Sequence, residues 1–299
     1  MKIVEDIYFI PCLYEDTFTG SVAIVGDTIT IVDTGMPYSP EQAIFPFLKS
    51  IGRDPKEIKN IVLTHCHFDH VAGVGAIRAV SHAAEVIVHK DDYPYIENPK
   101  LIDQNLRSRF PDLPIDERQS KFDPVLDCRI VEDRETLNLS GHNFRIMHVP
   151  GHSAGAICFV EPKLRVYIAG DSIQGRGRIS PYIFHSAGRY IKSMEMLKRE
   201  YINFLVLSHP FAPFRKGVLT GEECQRHVDE SLETVNELSS KILEILHKAE
   251  KPLSLIEVHQ QLPNTQGVTI GSILEKLLSE NIVSRSIDKG TLLWSAKRI

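Results

Sequence analysis

The first third of the chain alternates between strand-like and helix-like patterns. Ile7 to Cys12 is mostly apolar, and Ser21 to Val25 and Thr28 to Val32 are β-branched runs separated by Gly26-Asp27, which predicts a hairpin. The second run ends in the turn Asp33-Thr34-Gly35. A helix is expected from Pro40 to Ser50, with Ser39 as its N-cap. Ile61-Val62-Leu63 is the continuous apolar run of a strand buried on both faces. A short helix within Val71 to Val80 and a strand at Glu85 to His89 follow. Glu97 to Asp127 breaks this rhythm with charges and with Pro99, Pro111, Pro114 and Pro124, just after Pro94. It reads as a loosely structured excursion, either a lid or substrate-binding loop or a solvated insertion.

Strand patterns resume at Thr136 to Leu139, Asn143 to Val149, Ala156 to Val160 and Arg165 to Ala169. A helix is expected from Arg189 to Glu200 and a strand from Phe204 to Leu207. Two successive halves that mix strands with helices predict an α/β fold in which helices cover sheets. From Gly221 the pattern changes. Gly221 to Glu250 is helix-rich, Leu253 to Leu262 and Thr269 to Glu280 are further helices, and Ile282 to Trp294 is β-like around Asp288-Lys289-Gly290. Helix, helix, helix, hairpin is the order of a winged helix. The expected domains are therefore residues 1–220 and a helical, winged-helix-like 221–299.

At 299 residues the chain accommodates one large domain and a small one. Its 18 Gly and 17 Pro are near the average share, which excludes a collagenous or low-complexity chain. With 34 basic and 39 acidic residues the net charge is -5, too mild for a chain built around nucleic acid. The five cysteines are odd in number and irregularly spaced, which reads as a reduced, cytoplasmic setting rather than a disulfide framework. Acidic residues interrupt the apolar start MKIVEDIYFIP, so it has no signal-peptide core. No uncharged apolar run approaches the roughly 18 residues of a membrane span.

Thirteen histidines are a mild excess, and their placement carries the chemistry. Directly after the buried strand comes Thr64-His65-Cys66-His67-Phe68-Asp69-His70. So many ligand-type side chains at one strand end would be costly to desolvate together without a metal. His65 and His67 can point the same way from an extended loop, while Asp69 and His70 lie past the bend. The box thus supplies two half-sites rather than one closed cage. His152, Asp171 and His209 follow further strands, each beside a turn-forming Gly or Pro. Imidazole suits zinc and similar borderline metals, and carboxylate adds hard-metal character. Gly151-His152-Ser153-Ala154-Gly155 also matches the G-x-S-x-G nucleophile elbow. That motif needs a helix right after the serine, and Ala156 to Val160 reads as a strand.

With its H-x-H-x-D-H box and the later His, Asp and His, the chain resembles the metallo-β-lactamase fold superfamily, the αββα sandwich of metal hydrolases, over about residues 1 to 220. The resemblance implies that His65, His67 and His152 hold one metal, that Asp69, His70 and His209 hold a second, and that Asp171 bridges both. It implies two divalent ions, with zinc suited best and iron or manganese compatible. Asp33 resembles the aspartate that orients a ligand by hydrogen bonding. Asp69 is the residue expected to orient a metal-activated hydroxide and to pass a proton to the leaving group. Cys66 lies among the ligands but is not expected to be one.

The diiron oxygen-reductase branch of this family carries Glu where His67 stands here, so His67 points away from redox chemistry. Glyoxalase II-like thioesterases and lactonases keep all seven ligands. The leading expectation is a hydrolase of small-molecule esters, lactones or thioesters, with promiscuity toward phosphoesters. Acyl-homoserine lactonases carry Tyr where Gln174 stands, and Arg176, Arg178 and Tyr182 are only a loose analogue of the glutathione-holding residues of glyoxalase II. The alternative is a metal-dependent phosphodiesterase or endoribonuclease acting on single-stranded RNA, from the branch that adds a winged helix. Within Thr269 to Asn281, however, Lys276 stands against Glu275 and Glu280, whereas a groove-reading helix is basic. The appendix is therefore expected to pack on the sandwich or to form a homodimer through Leu274, Leu277 and Leu278. His82, His89, His142 and His148 read as bystanders, and His185 and Tyr182 as residues that could reach a substrate.

Overall fold

A computed structural model describes residues 1–297; residues 298 and 299, the end of the 221–299 segment, lie outside the described residues. The first sheet runs in chain order through β1 (Lys2–Val4), β2 (Ile7–Tyr14), β3 (Thr17–Val25), β4 (Ile29–Val32), β5 (Ile58–Val62), β6 (Glu85–His89) and β7 (Cys128–Val131). It is antiparallel from β1 to β4 and parallel from β4 to β7. The second sheet contains β8 (Thr136–Leu139), β9 (His142–His148), β10 (Ile157–Glu161), β11 (Val166–Gly170), β12 (Phe204–Leu207) and β13 (Val218–Thr220). Its order is β13-β12-β11-β10-β9-β8, parallel only between β11 and β12.

Period-2 side-chain alternation explains why the two sheets stack. In β2, Ile7 and Phe9 join Val62 and Ile87 in a buried cluster with Phe144 and Phe159 of the other sheet. Those two phenylalanines stack at 4.1 Å. The alternate residues, Ile10, Cys12, Ile61 and Val86, belong to a different buried cluster that holds Leu48, Ile77 and Met194 of the covering helices. Both faces of each sheet are thus apolar, which is the layered mixed arrangement the pattern predicts.

The covering helices are α1 (Phe45–Ser50), α2 (Phe68–Val71), α3 (Val74–Val80), α4 (Tyr93–Glu97), α5 (Lys100–Arg109) and α6 (Ala187–Leu197). Three details differ from expectation. Ser39 is already helical (φ -61°, ψ -37°) and caps nothing; its hydroxyl instead accepts the Met36 N–H, and the helix opens with a wide turn at Pro40–Ile44. A short helix does lie within Val71 to Val80, as α3, but an unforeseen helical turn, α2, precedes it across Ala72-Gly73. The Glu97–Asp127 excursion contains a regular helix, α5. Its prolines do not interrupt: Pro99 is the residue before α5, and Pro94 lies in the first turn of α4, where an N–H has no helical partner to lose.

The C-terminal part has the expected order of elements. α7 (Glu222–Lys248) runs 27 residues, with Glu222 and Glu223 in its first turn and His247 and Lys248 in its last, both favourable to the helix dipole. Then come β14 (Leu253–Ser254), α8 (Leu255–Gln261), α9 (Gly267–Ser279) and the hairpin β15 (Val283–Asp288) and β16 (Thr291–Ala296). These strands form a small sheet ordered β14-β16-β15. Leu274 and Leu277 are buried in the same apolar cluster as the helix-covered sheet faces, and Leu278 packs against it. These leucines therefore serve packing within the chain and do not form an exposed dimerisation stripe.

Candidate metal centre

The ligand-type residues gather at one edge of the sandwich because each follows the C-terminal end of a strand, where a loop must leave the sheet. The loop after β5 carries His65 and His67, and the short helix α2 that it enters carries Asp69 and His70; the loops after β9, β11 and β12 carry His152, Asp171 and His209. All seven are buried. His152 Nε2 lies 2.8 Å from His67 Nδ1 and 3.2 Å from His65 Nε2. His209 Nε2 is 3.0 Å from Asp69 Oδ2 and 3.5 Å from Asp171 Oδ2. His70 Nε2 is 3.8 Å from Asp69 Oδ1 and 3.7 Å from Asp171 Oδ1, and Asp171 Oδ2 is 3.8 Å from His152 Nε2. Among these seven residues, donor atoms within 4.8 Å of one another form three sets, His65 with His67 and His152, Asp69 with His70 and His209, and His65 with His70 and Asp171; a fourth, partly exposed set is His89 with Asp91 and His148. The structure thus brings together every ligand position singled out in the sequence.

These residues fit metal ions on two counts. His70 Nε2 and Asp171 Oδ1 are buried with no hydrogen-bond partner among the described residues, although polar atoms so placed ordinarily find one. Three imidazoles also converge nitrogen to nitrogen. Burial, reinforced by neighbouring imidazoles, pushes His65 and His67 well below the ordinary histidine value, which leaves the neutral form that ligates metal. Burial also acts to lower His70, but Asp33, Asp69 and Asp171 outweigh it and hold that pKa at about 10. The same carboxylates make its surroundings attractive to a cation.

The loops are tied by hydrogen bonds that the sequence shows only in part. Asp33, at the end of β4 with φ 55°, accepts from the Thr64 N–H (2.8 Å) and the Thr64 hydroxyl (2.7 Å), and lies 2.8 Å from His70 Nδ1. Thr64 Oγ1 in turn sits 3.1 Å from His65 Nδ1. Gly170, just before Asp171, has φ +53°, and a Cβ there would lie 2.2 Å from Thr64 Oγ1, so only glycine lets the two loops close. His209 is oriented by the Phe18 carbonyl (2.9 Å), and Asp69 accepts from the Thr19 hydroxyl (3.2 Å).

Asp92, which escaped the sequence reading, and Gln174, singled out there only as a departure from the lactonases, have comparable roles. Asp92, fully buried, accepts from the Cys66 N–H (3.0 Å), the Ser153 hydroxyl (2.6 Å) and the Gly155 N–H (2.6 Å), so it joins the histidine box to the His152 loop. Its position just past β6 was the available signal. Gln174 donates to the Asp171 and Tyr182 carbonyls (3.0 and 2.9 Å) and accepts the Tyr182 N–H, at 2.9 Å from His152 Nδ1. Ser153 is no nucleophile elbow, since its hydroxyl donates to Asp92 and β10 follows it. Cys66 is buried in the apolar cluster and belongs to none of the ligand sets.

The centre opens into a cavity of about 570 Å³ that reaches His67, Asp69, His152, Asp171 and His209. Tyr182 and Arg178 line it; His185 does not, and faces a neighbouring groove instead. Arg176 is bound to Glu230 and Glu237 of α7 and is absent from the lining. Among the bystander histidines, His89 and His148 stack on one another at 4.0 Å.

Known proteins resemble this chain in fold and in sequence. In fold, the metallo-beta-lactamase family protein TTHA1429 from Thermus thermophilus superposes with a TM-score of 0.82 at 18% identity, covering 99% of this chain and 100% of that one. The FEZ-1 metallo-beta-lactamase from Legionella gormanii gives 0.62 at 18% identity, over 80% of this chain and 95% of that one. In sequence, the human acyl-coenzyme A thioesterase MBLAC2 is 29% identical over 139 residues, 46% of this chain and 49% of that protein. The hydroxyacylglutathione hydrolase of Francisella tularensis subsp. novicida (strain U112) is 29% identical over 131 residues, 44% of this chain and 40% of that protein. The chain spans about half the length of the curated relatives it matches. The family model of the metallo-beta-lactamase superfamily matches residues 17–209, from β3 to the last of the ligand-type histidines, and the chain belongs to that superfamily.

Proposed function

We propose that the protein is a metal-dependent hydrolase of small-molecule acyl thioesters and esters. The observation that carries this reading is the convergence of seven buried His and Asp side chains, two of their polar atoms unpartnered among the described residues, with five of the seven lining a cavity of about 570 Å³. His65, His67 and His152 would hold one divalent ion, Asp69, His70 and His209 a second, and Asp171 would reach both, with zinc the best match to this donor set. Bound there, such ions supply the Lewis acidity that makes water nucleophilic near neutral pH and polarises a carbonyl.

The chain's own residues do the rest. Asp69 faces the cavity with its carboxylate fixed by Thr19 and His209. It accepts the proton shed by the attacking water and hands it to the sulfur or oxygen that leaves as the acyl C–S or C–O bond breaks. Asp33 and Asp92 hold the ligand loops so that none of these groups must reorganise during the reaction. The cavity volume falls in the range of small-molecule sites. Thioesters are favoured because two of the curated relatives are named for thioester or acyl-glutathione hydrolysis. Residues 221–297 are read as a winged-helix-like unit that closes the cavity. Seven residues of α9 are buried, which leaves the helix little free face for a nucleic acid.

The test is a panel of thioester, lactone, phosphodiester and β-lactam substrates with enzyme reconstituted in zinc, manganese or iron. Thioester turnover that vanishes on chelation and returns with metal is expected, and Asp171→Ala should abolish it. Exclusive cleavage of phosphodiesters or RNA, or turnover unchanged after complete removal of metal, would overturn the reading.

A further inference from the structure

The cavity has two chemically different sides. Its charged lining comes from Glu15, Asp116, Arg118, Arg178 and Arg215. The other side is mainly hydrocarbon, from Phe184, Leu106, Leu113, Ile115 and Val268, with Gln119, His259 and Gln266 also in the lining. That side starts at the metal centre, because the Phe184 ring lies 4.6 Å from the ring of His67. It then crosses between two parts of the chain far apart in sequence. Leu106 ends in the excursion helix α5, Leu113 and Ile115 follow it, and Val268 belongs to the first turn of α9, outside residues 17–209.

These parts are joined closely. A Cβ on Gly267 would lie 2.5 Å from Leu113 Cδ1, and one on Gly271 2.5 Å from the Phe110 ring, so α9 lies directly against the excursion. The polar atoms behind this wall, where α9 meets residues 180–187, are engaged within the protein. Thr269 Oγ1 accepts the Ile183 N–H and donates to the Pro181 carbonyl, Ser272 Oγ accepts the Ala187 N–H, and Ser180 Oγ accepts the Gln266 N–H. Arg109 binds the Phe184 and His185 carbonyls. Apart from Gln119, whose Oε1 has no partner among the described residues, and the side chains of His259 and Gln266, this wall offers a ligand aliphatic and aromatic surface, so an occupant gains mainly by bringing apolar surface of its own.

Resting on the hydrolase reading above, we propose that this wall is an acyl-chain subsite and that the substrates are thioesters or esters of linear aliphatic acids, with chain-length preference set jointly by the excursion and by α9. The reacting bond remains the acyl C–S or C–O bond, and water supplies the oxygen of the released acid.

The test uses the metal-reconstituted full chain and N-acetylcysteamine thioesters from acetyl to decanoyl, whose leaving group carries no charge. Each methylene that enters the wall should raise kcat/KM by up to about fourfold, levelling off where the wall ends. Val268→Trp fills the wall and should lower kcat/KM for octanoyl at least tenfold relative to butanoyl; Ile115→Ser, at a half-buried position, should flatten the slope without refolding risk in the core. A profile that varies less than twofold from butanoyl to decanoyl, or variants that lower all lengths in parallel, would overturn the subsite. Calorimetric binding of decanoate separates the two readings. Decanoate binding weakened by Val268→Trp without thioester turnover upholds the subsite and sinks the hydrolase. Turnover with a flat profile and no decanoate binding does the reverse.

Discussion

Arg109 and Glu275, 166 positions apart, form a two-pronged ion pair, with Nη2–Oε2 at 2.5 Å and Nε–Oε1 at 3.2 Å. It joins the end of α5 to α9, and the same guanidinium donates to the Phe184 and His185 carbonyls. Both side chains are mostly but not fully covered, at 19% and 29% exposure, so the pair lies between the surface and buried limits. Arg109→Met should destabilise the protein by about 2 kcal/mol, partly by leaving two carbonyls without a donor. Glu275→Gln should cost less, because those carbonyl bonds survive. Denaturant midpoints at unchanged slope measure this. Equal losses in the two variants would show that the carbonyl contacts contribute nothing.

Asp33 holds His70 directly and His65 through Thr64. An amide in its place can accept on only one side. Asp33→Asn should therefore weaken metal binding by about 10–100-fold, as is usual for groups that orient ligands. Thr64→Val, which loses one link and keeps the carboxylate, should fall between Asp33→Asn and the parent chain. Competition with a chromophoric chelator gives the numbers. Unchanged affinity in Asp33→Asn would make that residue a fold element only.

His227 lies in α7, fully buried, and burial pushes its pKa down to about 4. The sign of the linkage follows. Above about pH 6.5 the ring is neutral in folded and unfolded chains alike. As pH falls from there toward 4, the unfolded chain takes up a proton that the folded one refuses, so stability declines across that window and levels off below it. At about 1.4 kcal/mol per pH unit, His227 accounts for roughly 3 kcal/mol of acid sensitivity. Urea unfolding of the metal-free protein at pH 7.5, 6 and 5 should show the decline, and His227→Met should reduce it. The same acid slope in the variant would assign the effect to other groups.

The candidate ligand positions were legible because His152, Asp171 and His209 each follow an apolar strand beside a turn-forming Gly or Pro, and because the other four fall within the six residues from His65 to His70. Asp92 and Gln174 were not legible, because their roles depend on which backbone N–H groups loops from elsewhere present to them. The helix α5 was hidden by prolines that stand at helix starts, where they favour the fold. The leucines of α9 were recognisable as a buried stripe, but a periodic pattern does not say whether the covering surface belongs to the same chain. Here it does.

The division of the cavity between early and late parts of the chain also sets an order of completion during synthesis. Every ligand-type side chain lies at or before His209, whereas the last piece of wall, Val268, follows 59 positions later and depends on α9 being folded. As the polypeptide leaves the ribosome, the metal-binding edge can assemble while the cavity still lacks one side. If the proposed metal centre and acyl-chain wall hold, the edge that captures ions is complete in the chain before the wall that discriminates among substrates.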